Sequence, residues 1–354
     1  MKSMRILGPF PPPFGGVAIH CVRLLEALRT RGINVQGLSL GGLPVGLPNV
    51  SLFRPWHLLS RTPVHYHTDE GNFRWMLLLS RIWRILGTKY IVTAHSFRHR
   101  SEFENPSVLK NLRKAYERAE AIIAISDEAA RDLQNELGVV HKRLKVIPSN
   151  LPLSRWESSG AIPTSVPEQW HASSARILAN AGAVSSLAGK DLYGIDVLLE
   201  ALKQIADPRI QLCIAIGGVR DQSQFERIVE AAKLDTRVHL VSDLNGPLAP
   251  LVRESHIVVR PTRTEGGPSL TVTEAMELGR WTIASDAVTR PAGCRTFRSE
   301  DAADLARVII GCVNEVAMGN MPAPTQPYSQ VLTQLINLYQ RLGFVSTIDT
   351  PADV

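Results

Sequence analysis

Two hydrophobic periods alternate along the chain. Short runs rich in β-branched residues read as strands, and stripes repeating every three or four positions read as helices. Residues 5–7 form a first strand, and 8–16 a proline- and glycine-rich loop that cannot be helical. Apolar Val17, Cys21, Leu24, Leu25 and Leu28 then make one face of a helix over 17–31, closed by Gly32. Strands follow at 35–40 and 50–53, and the alternation Val64-His65-Tyr66-His67 predicts another. A helix runs over 72–86, and residues 89–93 form a strand that ends at His95. A strand over 121–125, a helix to about 137 and a strand over 144–147 complete the first half.

Residues 151–174 carry Pro152, Pro163 and Pro167 among serines without periodicity, which marks a linker. Alternation then resumes. Strands fall at 176–180, 210–216, 238–241, 257–259 and 281–284, interleaved with helices at 191–205, 222–233, 247–254, around Ser269 and at 301–316. A last helix over 328–342 has apolar Val331, Leu332, Leu335, Leu338 and Tyr339 on one face. Repeated strand and helix order predicts an α/β protein of two doubly wound domains, with ligands at the C-terminal strand ends.

Composition narrows this picture. A length of 354 residues suits two domains, and 44% apolar with 20% charged residues suits a globular protein. The most apolar window, 75–86, is interrupted by Arg81 and Arg84, which argues against a spanning helix. Four scattered cysteines (Cys21, Cys213, Cys294, Cys312) point to a reducing compartment and away from a cysteine zinc site. The N-terminal apolar run is too short for a signal peptide, so the expected location is the cytoplasm.

Charge is divided unevenly. Residues 1–150 hold 21 Lys+Arg against 11 Asp+Glu, a balance of +10, and the remainder holds 18 against 22, a balance of −4, which returns the total of +6. The basic half should attract a phosphorylated acceptor or an anionic membrane surface. Nucleic acid is disfavoured, because no helix-turn-helix, zinc-finger or aromatic ribonucleoprotein signature accompanies the charge. In the helix over 72–86, Arg74, Arg81 and Arg84 alternate with Trp75, Trp83 and leucines. Its leucines suit packing on a sheet, and its arginines suit lipid headgroups at the inner face of the plasma membrane; the two readings can hold for different faces.

The densest chemistry lies between His256 and Asp286, HIVVRPTRTEGGPSLTVTEAMELGRWTIASD. A strand, a loop with Glu265, Gly266 and Gly267, a helix entered at Ser269 and a second strand follow one another. The first turn of a helix offers unpaired N–H groups and about half a positive charge to an anion. Ser269 is placed to cap that helix, and the two glycines let backbone approach a ligand. Glu265 and Glu274 flank the site, and beside a phosphate a carboxylate serves best by accepting hydrogen bonds from sugar hydroxyls. The implied ligand is a sugar carrying a phosphate.

This stretch resembles the donor-site motif of the family-four retaining glycosyltransferases, which have the GT-B fold of two Rossmann-like domains facing across a cleft. That family spaces its two glutamates eight apart; here Glu265 and Glu274 are nine apart, read as one extra residue in the loop. Further landmarks follow in the family's order: the loop with Gly15 and Gly16, His95 after its strand, Pro148-Ser149-Asn150 closing the first domain, and Lys190. The resemblance implies an acceptor-side domain over 1–150, a linker over 151–175, a nucleotide-sugar donor domain over 176–326, and a helix over 327–343 crossing back to the first.

It also implies roles. Lys190, with the N–H groups of Ser269 and Leu270, would stabilise a departing diphosphate, and Arg260 or Arg263 would share that charge. Where the family has an arginine beside the lysine, this chain has small residues. Glu265 would hold the donor sugar, Glu274 the ribose, and Gly16, Gly266 and Gly267 would let the donor approach. His95 is the expected catalytic-centre residue of the first half, with Gly15, His67, Arg98 and Arg100 on the side of a glycan or lipid-linked acceptor. No Asp-x-Asp triplet occurs, so transfer with no metal and no cofactor beyond the nucleotide sugar is expected. The expected setting is cell-envelope polysaccharide or lipid-linked oligosaccharide synthesis. Two other readings remain: a nucleotide-sugar epimerase, and a catalytically silent donor-binding subunit of a glycosyltransferase complex.

Overall fold

The computed structural model describes residues 3–346 apart from 13, 42–45, 48, 69–71, 96–104, 140–141, 243, 245, 268 and 326–328. It divides into two compact units: Met1–Pro12, Val17–Leu151 and Tyr328–Val354 in the first, Pro13–Gly16 and Pro152–Pro327 in the second.

In the first unit, β1 (Met4–Gly8), α1 (Gly16–Thr30), β2 (Val35–Ser39), β3 (Val50–Leu52), β4 (Val64–Thr68), α2 (Phe73–Leu86) and β5 (Tyr90–Ala94) lead to α3 (Pro106–Glu117), β6 (Ala121–Ala124), α4 (Asp127–Leu137) and β7 (Leu144–Val146). Seven strands pair in the order β3-β2-β1-β4-β5-β6-β7, all parallel. The order reverses between β1 and β4, so connections leave the sheet in opposite directions there and open a crevice at the strand ends. Strands covered on both faces must be apolar throughout or pair their polar groups internally. β4 takes the second course, since all five of its residues are buried and two are histidines. Tyr66, Met76, Trp83, Val92 and Tyr116 belong to the core beneath.

Local chemistry sets the helix ends. Ser126 Oγ accepts from the Ala129 N–H at the start of α4, and Gly138 ends it in the left-handed region at φ 59°. Gly87, at φ 69°, closes α2 in the same way. α2 buries Phe73, Met76, Leu79 and Trp83 and leaves Arg74, Trp75, Leu78, Arg81, Arg84 and Ile85 exposed, so its packing side and its basic side are opposite one another.

The second unit comprises α5 (Arg155–Ser158), α6 (Glu168–Ala172), β8 (Ala175–Ala181), the hairpin β9 (Ser186–Leu187) and β10 (Lys190–Asp191), α7 (Ile195–Lys203), β11 (Ile210–Ile216), α8 (Gln222–Lys233), β12 (Val238–Val241), α9 (Ala249–Glu254), β13 (Ile257–Arg260), α10 (Leu270–Glu277), β14 (Trp281–Ser285), β15 (Arg295–Phe297) and α11 (Ala302–Ala317). Its six parallel strands run β12-β11-β8-β13-β14-β15, with the reversal between β8 and β13. The core centres on Leu198, Leu202, Ile214, Val259 and Ile309.

Residues expected to form a structureless linker carry α5 and α6. Ser154 and Glu157 cap α5 reciprocally, and Trp170 on α6 is fully buried, its indole N–H donating to the Ile177 carbonyl at 3.0 Å. Helices of four and five residues are too short to display a 3.6-residue period. The last helix, α12 (Ser329–Leu342), belongs to the first unit. There the Tyr339 hydroxyl lies 2.7 Å from His65 Nδ1. Among the described residues no helix is long and apolar enough to cross a membrane.

Candidate functional site

Each unit gathers polar side chains at the point where its strand order reverses. In the first, Gly8 ends β1 so close to β4 that a Cβ there would stand 3.0 Å from His67 Cβ and 3.2 Å from Cys21 Sγ. Glycine thereby lets α1 and β4 close on each other. His20 from α1, His67 from β4 and His95 just beyond β5 meet in that space, all buried. Ring centroids lie 5.1 Å apart for His20 and His67, 5.0 Å for His20 and His95, and 5.4 Å for His67 and His95.

Partners fix these rings. His20 Nδ1 lies 2.7 Å from the Ser149 carbonyl, which can only accept, so Nδ1 carries the proton and Nε2 a lone pair. His67 Nδ1 and His95 Nε2 are 3.1 Å apart, and among the described residues the buried His67 Nε2 has no hydrogen-bond partner. His65 is saturated, with Tyr339 on one nitrogen and Thr93 Oγ1 on the other, each at 2.7 Å. Burial disfavours the charged imidazolium at every one of these rings. It pushes His20 down to about 4, against the raising effect of the Ser149 hydrogen bond and with help from Arg23. His67 and His95 are lowered well below the ordinary value, first by burial and then by neighbouring histidines. Gly16 opens α1, and a side chain at Gly15 or Gly16 would meet nothing within 4 Å. Arg98 and Arg100 lie outside the described residues.

In the second unit β13 ends at Arg260, and the following loop brings Glu265 back onto it. Arg260 Nε and Nη2 donate to Glu265 Oε1 at 2.8 and 2.6 Å, and Arg290 Nη1 donates to Oε2 at 2.6 Å. All three side chains are at most 9% exposed, so the interactions are little screened. Arg260 also donates to the Asn180 carbonyl at the end of β8 and lies over the Tyr193 ring at 4.9 Å. Two guanidiniums on one carboxylate leave a net positive charge in the interior, beside the loop that enters α10. Glu274 is buried on α10, and Ser269 stands at its N-cap, although the Ser269 side chain makes no capping hydrogen bond. The expected serine cap is therefore absent.

The loop bearing Lys190 is tied to the loop after β13. Thr262 Oγ1 donates to the Leu192 carbonyl, as does the Arg263 N–H. Gly194, at φ 68°, would place a Cβ 2.0 Å from the Pro261 carbonyl oxygen, a contact only glycine permits. Lys190 Nζ donates to Glu300 at 2.9 Å with both side chains about half exposed, a pair weak enough to exchange for a ligand anion. Arg263 is committed elsewhere: it donates to Glu300, to both oxygens of Asp196 and to the Asp191 carbonyl.

Two family models match the chain: Glycosyltransferase Family 4 over residues 63–155 and Glycosyl transferases group 1 over residues 179–315, together more than half of it. The chain belongs to the family-four, group 1 glycosyltransferases. No curated protein sequence matches it. Among solved structures, this glycosyltransferase is similar to Anabaena Alr3699/HepE in complex with UDP-glucose, at 14% identity and a TM-score of 0.67, covering 97% of this chain and 98% of that one. WaaG, a glycosyltransferase involved in lipopolysaccharide biosynthesis, matches at 15% identity and a TM-score of 0.59, covering 96% and 99%. A trehalose-phosphate synthase from Burkholderia xenovorans, in complex with glucose-6-phosphate, matches at 12% identity and a TM-score of 0.63, covering 97% and 100%. The fold is thus the two-domain, Rossmann-like GT-B fold.

Within this glycosyltransferase, sequence reasoning did not find His20 or Arg290. His20 reads as a polar residue in an amphipathic helix, and its burial depends on β4 and β5 arriving beside α1. Arg290 lies in an irregular loop after β14, where no periodicity flags a side chain. The structure brings Arg260, Glu265 and Arg290 together in one unit, and His67 and His95 in the other.

Proposed function

We propose that this glycosyltransferase moves a sugar from a nucleotide-diphosphate donor to a hydroxyl acceptor with retention of anomeric configuration. The observation that carries the reading is the surplus buried positive charge of Arg260 and Arg290 over Glu265, beside the loop into α10 and at the strand-order reversal of the second unit. A departing diphosphate gains negative charge in the transition state, and preorganised donors that oppose it lower the barrier. Lys190 and the N–H groups of Ser269 and Leu270 bind the diphosphate, and Glu274 accepts from the ribose.

Glu265 accepts from sugar hydroxyls, an ionised carboxylate being an acceptor only. The arginines orient it as well as neutralise it. Transfer needs no metal on the diphosphate, because arginine, lysine and helix amides supply the counter-charge. UDP and UDP-glucose in the Anabaena neighbour support a uridine nucleotide sugar as the first donor to test.

The acceptor is a glycan or lipid-linked hydroxyl, with His95 at the catalytic centre and Gly15 and His67 on the acceptor side. Around α2 and the 3₁₀ turn Pro55–Leu59, exposed Trp56, Leu59, Trp75, Leu78 and Ile85 are interspersed with exposed Arg54, Arg74, Arg81 and Arg84. Apolar side chains ringed by arginine suit the boundary between headgroups and acyl chains of an anionic membrane. This supports a peripheral enzyme of cell-envelope glycan assembly.

The test is a thermal-shift screen of nucleotide sugars, followed by product analysis with and without vesicle-extracted lipid acceptors. A donor that raises the melting temperature and is consumed only with acceptor supports transfer. Donor isomerised without acceptor would mean an epimerase. Donor bound and never consumed with any acceptor would mean a silent subunit.

A further inference from the structure

We infer that His20, His67 and His95 form a binding site for a divalent cation of the zinc class, contained within the first unit. Their ligating nitrogens all lie within 4.8 Å of one another, and His67 Nδ1 and His95 Nε2 are 3.1 Å apart. Two nitrogens bound at about 2.0–2.1 Å to one tetrahedral zinc lie roughly 3.3 Å from each other. That pair therefore already has the spacing of two ligands, and the third, on His20, lies within 4.8 Å of both.

The hydrogen bonds point the same way. Three neutral imidazoles carry three N–H groups and three lone pairs. The Ser149 carbonyl takes the His20 N–H, and the contact between His67 and His95 uses one N–H and one lone pair. A cation accepts all three lone pairs at once.

The surroundings suit a metal as well. An imidazole that ligates a metal usually donates its other N–H to a carbonyl, which fixes ring and tautomer, and the Ser149 carbonyl occupies that place for His20. His65 lies 4.1 Å from His67 by ring centroid, yet both its nitrogens are committed to Tyr339 and Thr93, and it is no ligand. Three imidazoles select a borderline dication such as Zn²⁺ or Co²⁺ over Mg²⁺ or Ca²⁺, which require oxygen. The site uses no carboxylate, so the missing Asp-x-Asp triplet does not bear on it.

The experiment uses the full chain without a histidine tag, stripped with a chelator and titrated with Co²⁺. One equivalent should bind with the intense visible bands of a tetrahedral ion, raise the melting temperature, and be displaced by Zn²⁺. His20→Gln and His67→Ala should lose the bands, and His239→Ala, outside the cluster, should keep them. X-ray absorption of the Co²⁺-loaded wild type, which needs no variant to fold, should find three imidazole nitrogens at about 2.0–2.1 Å. An all-oxygen shell, the absence of stoichiometric binding, or bands that persist in folded His67→Ala would overturn the site.

Discussion

Arg290 and Glu265 are 25 positions apart, yet Arg290 Nη1 donates to Glu265 Oε2 at 2.6 Å with both side chains at most 3% exposed. A charge buried so completely is tolerable only while its partner stays. Glu265→Ala, which strands Arg260 and Arg290, should lower the free energy of unfolding by about 3–5 kcal/mol, and Arg290→Ala, after which Arg260 still holds Glu265, by less. The double variant should lose less than the sum of the two, since Arg290 is then no longer left without its carboxylate. Urea unfolding measures all three; strictly additive losses would mean that the two groups do not interact.

Glu274 lies on α10 in the donor half of the proposed site, and its role there is to hold the ligand. Glu274→Ala should abolish sugar transfer while circular dichroism and cooperative melting stay close to wild type. Transfer at the wild-type rate would remove α10 from the donor site.

His256 stands immediately before β13, where burial first, then the Arg176 and Arg280 charges, push it down to about 4. Its Nδ1 accepts from the Arg176 N–H at 3.1 Å, a bond open only to an unprotonated nitrogen. The unfolded chain, with an ordinary histidine near 6.5, takes up the proton first as pH falls. The contribution of His256 to stability is therefore complete above pH 6.5, and is lost as the pH falls from there toward 4. Titration of its imidazole resonance by NMR should give a midpoint near 4; a midpoint at or above 6 contradicts the environment described.

Gly194 and Gly87 adopt nearly the same left-handed backbone, φ 68° and 69°, but differ in what surrounds them. Gly87→Ala meets no atom within 4 Å and should cost only the backbone preference, about 1–2 kcal/mol. Gly194→Ala drives a Cβ against the Pro261 carbonyl and should cost several times as much, visible as a lower melting temperature. Equal losses would show that the loops after β10 and β13 are free to separate.

The two sheets were legible in the sequence because buried parallel strands write themselves as compact β-branched runs, as at Ile257 to Val259, and their helices as apolar stripes. His67 and His95 were legible for the same reason: each lies at or just past the end of a recognisable strand. Several elements shorter than two periods were not. The 3₁₀ turn Pro55–Leu59, β15, α5 and α6 are held by tertiary partners, as Trp170 is by the core around Leu178 and Val258. Ser269 shows the limit of local rules, since a serine before a helix predicts a cap that its side chain does not make. The ionic cluster at Glu265 was hidden because Arg290 reaches it through space.

The helix that completes the first unit is made after the whole of the second. Tyr339, fully buried, meets His65 across 274 positions of chain. On the ribosome the N-terminal half therefore waits for a helix encoded after the second unit, while that unit already has every strand it needs. The second unit should thus mature first, and a stop codon ahead of α12 would harm the half made before it.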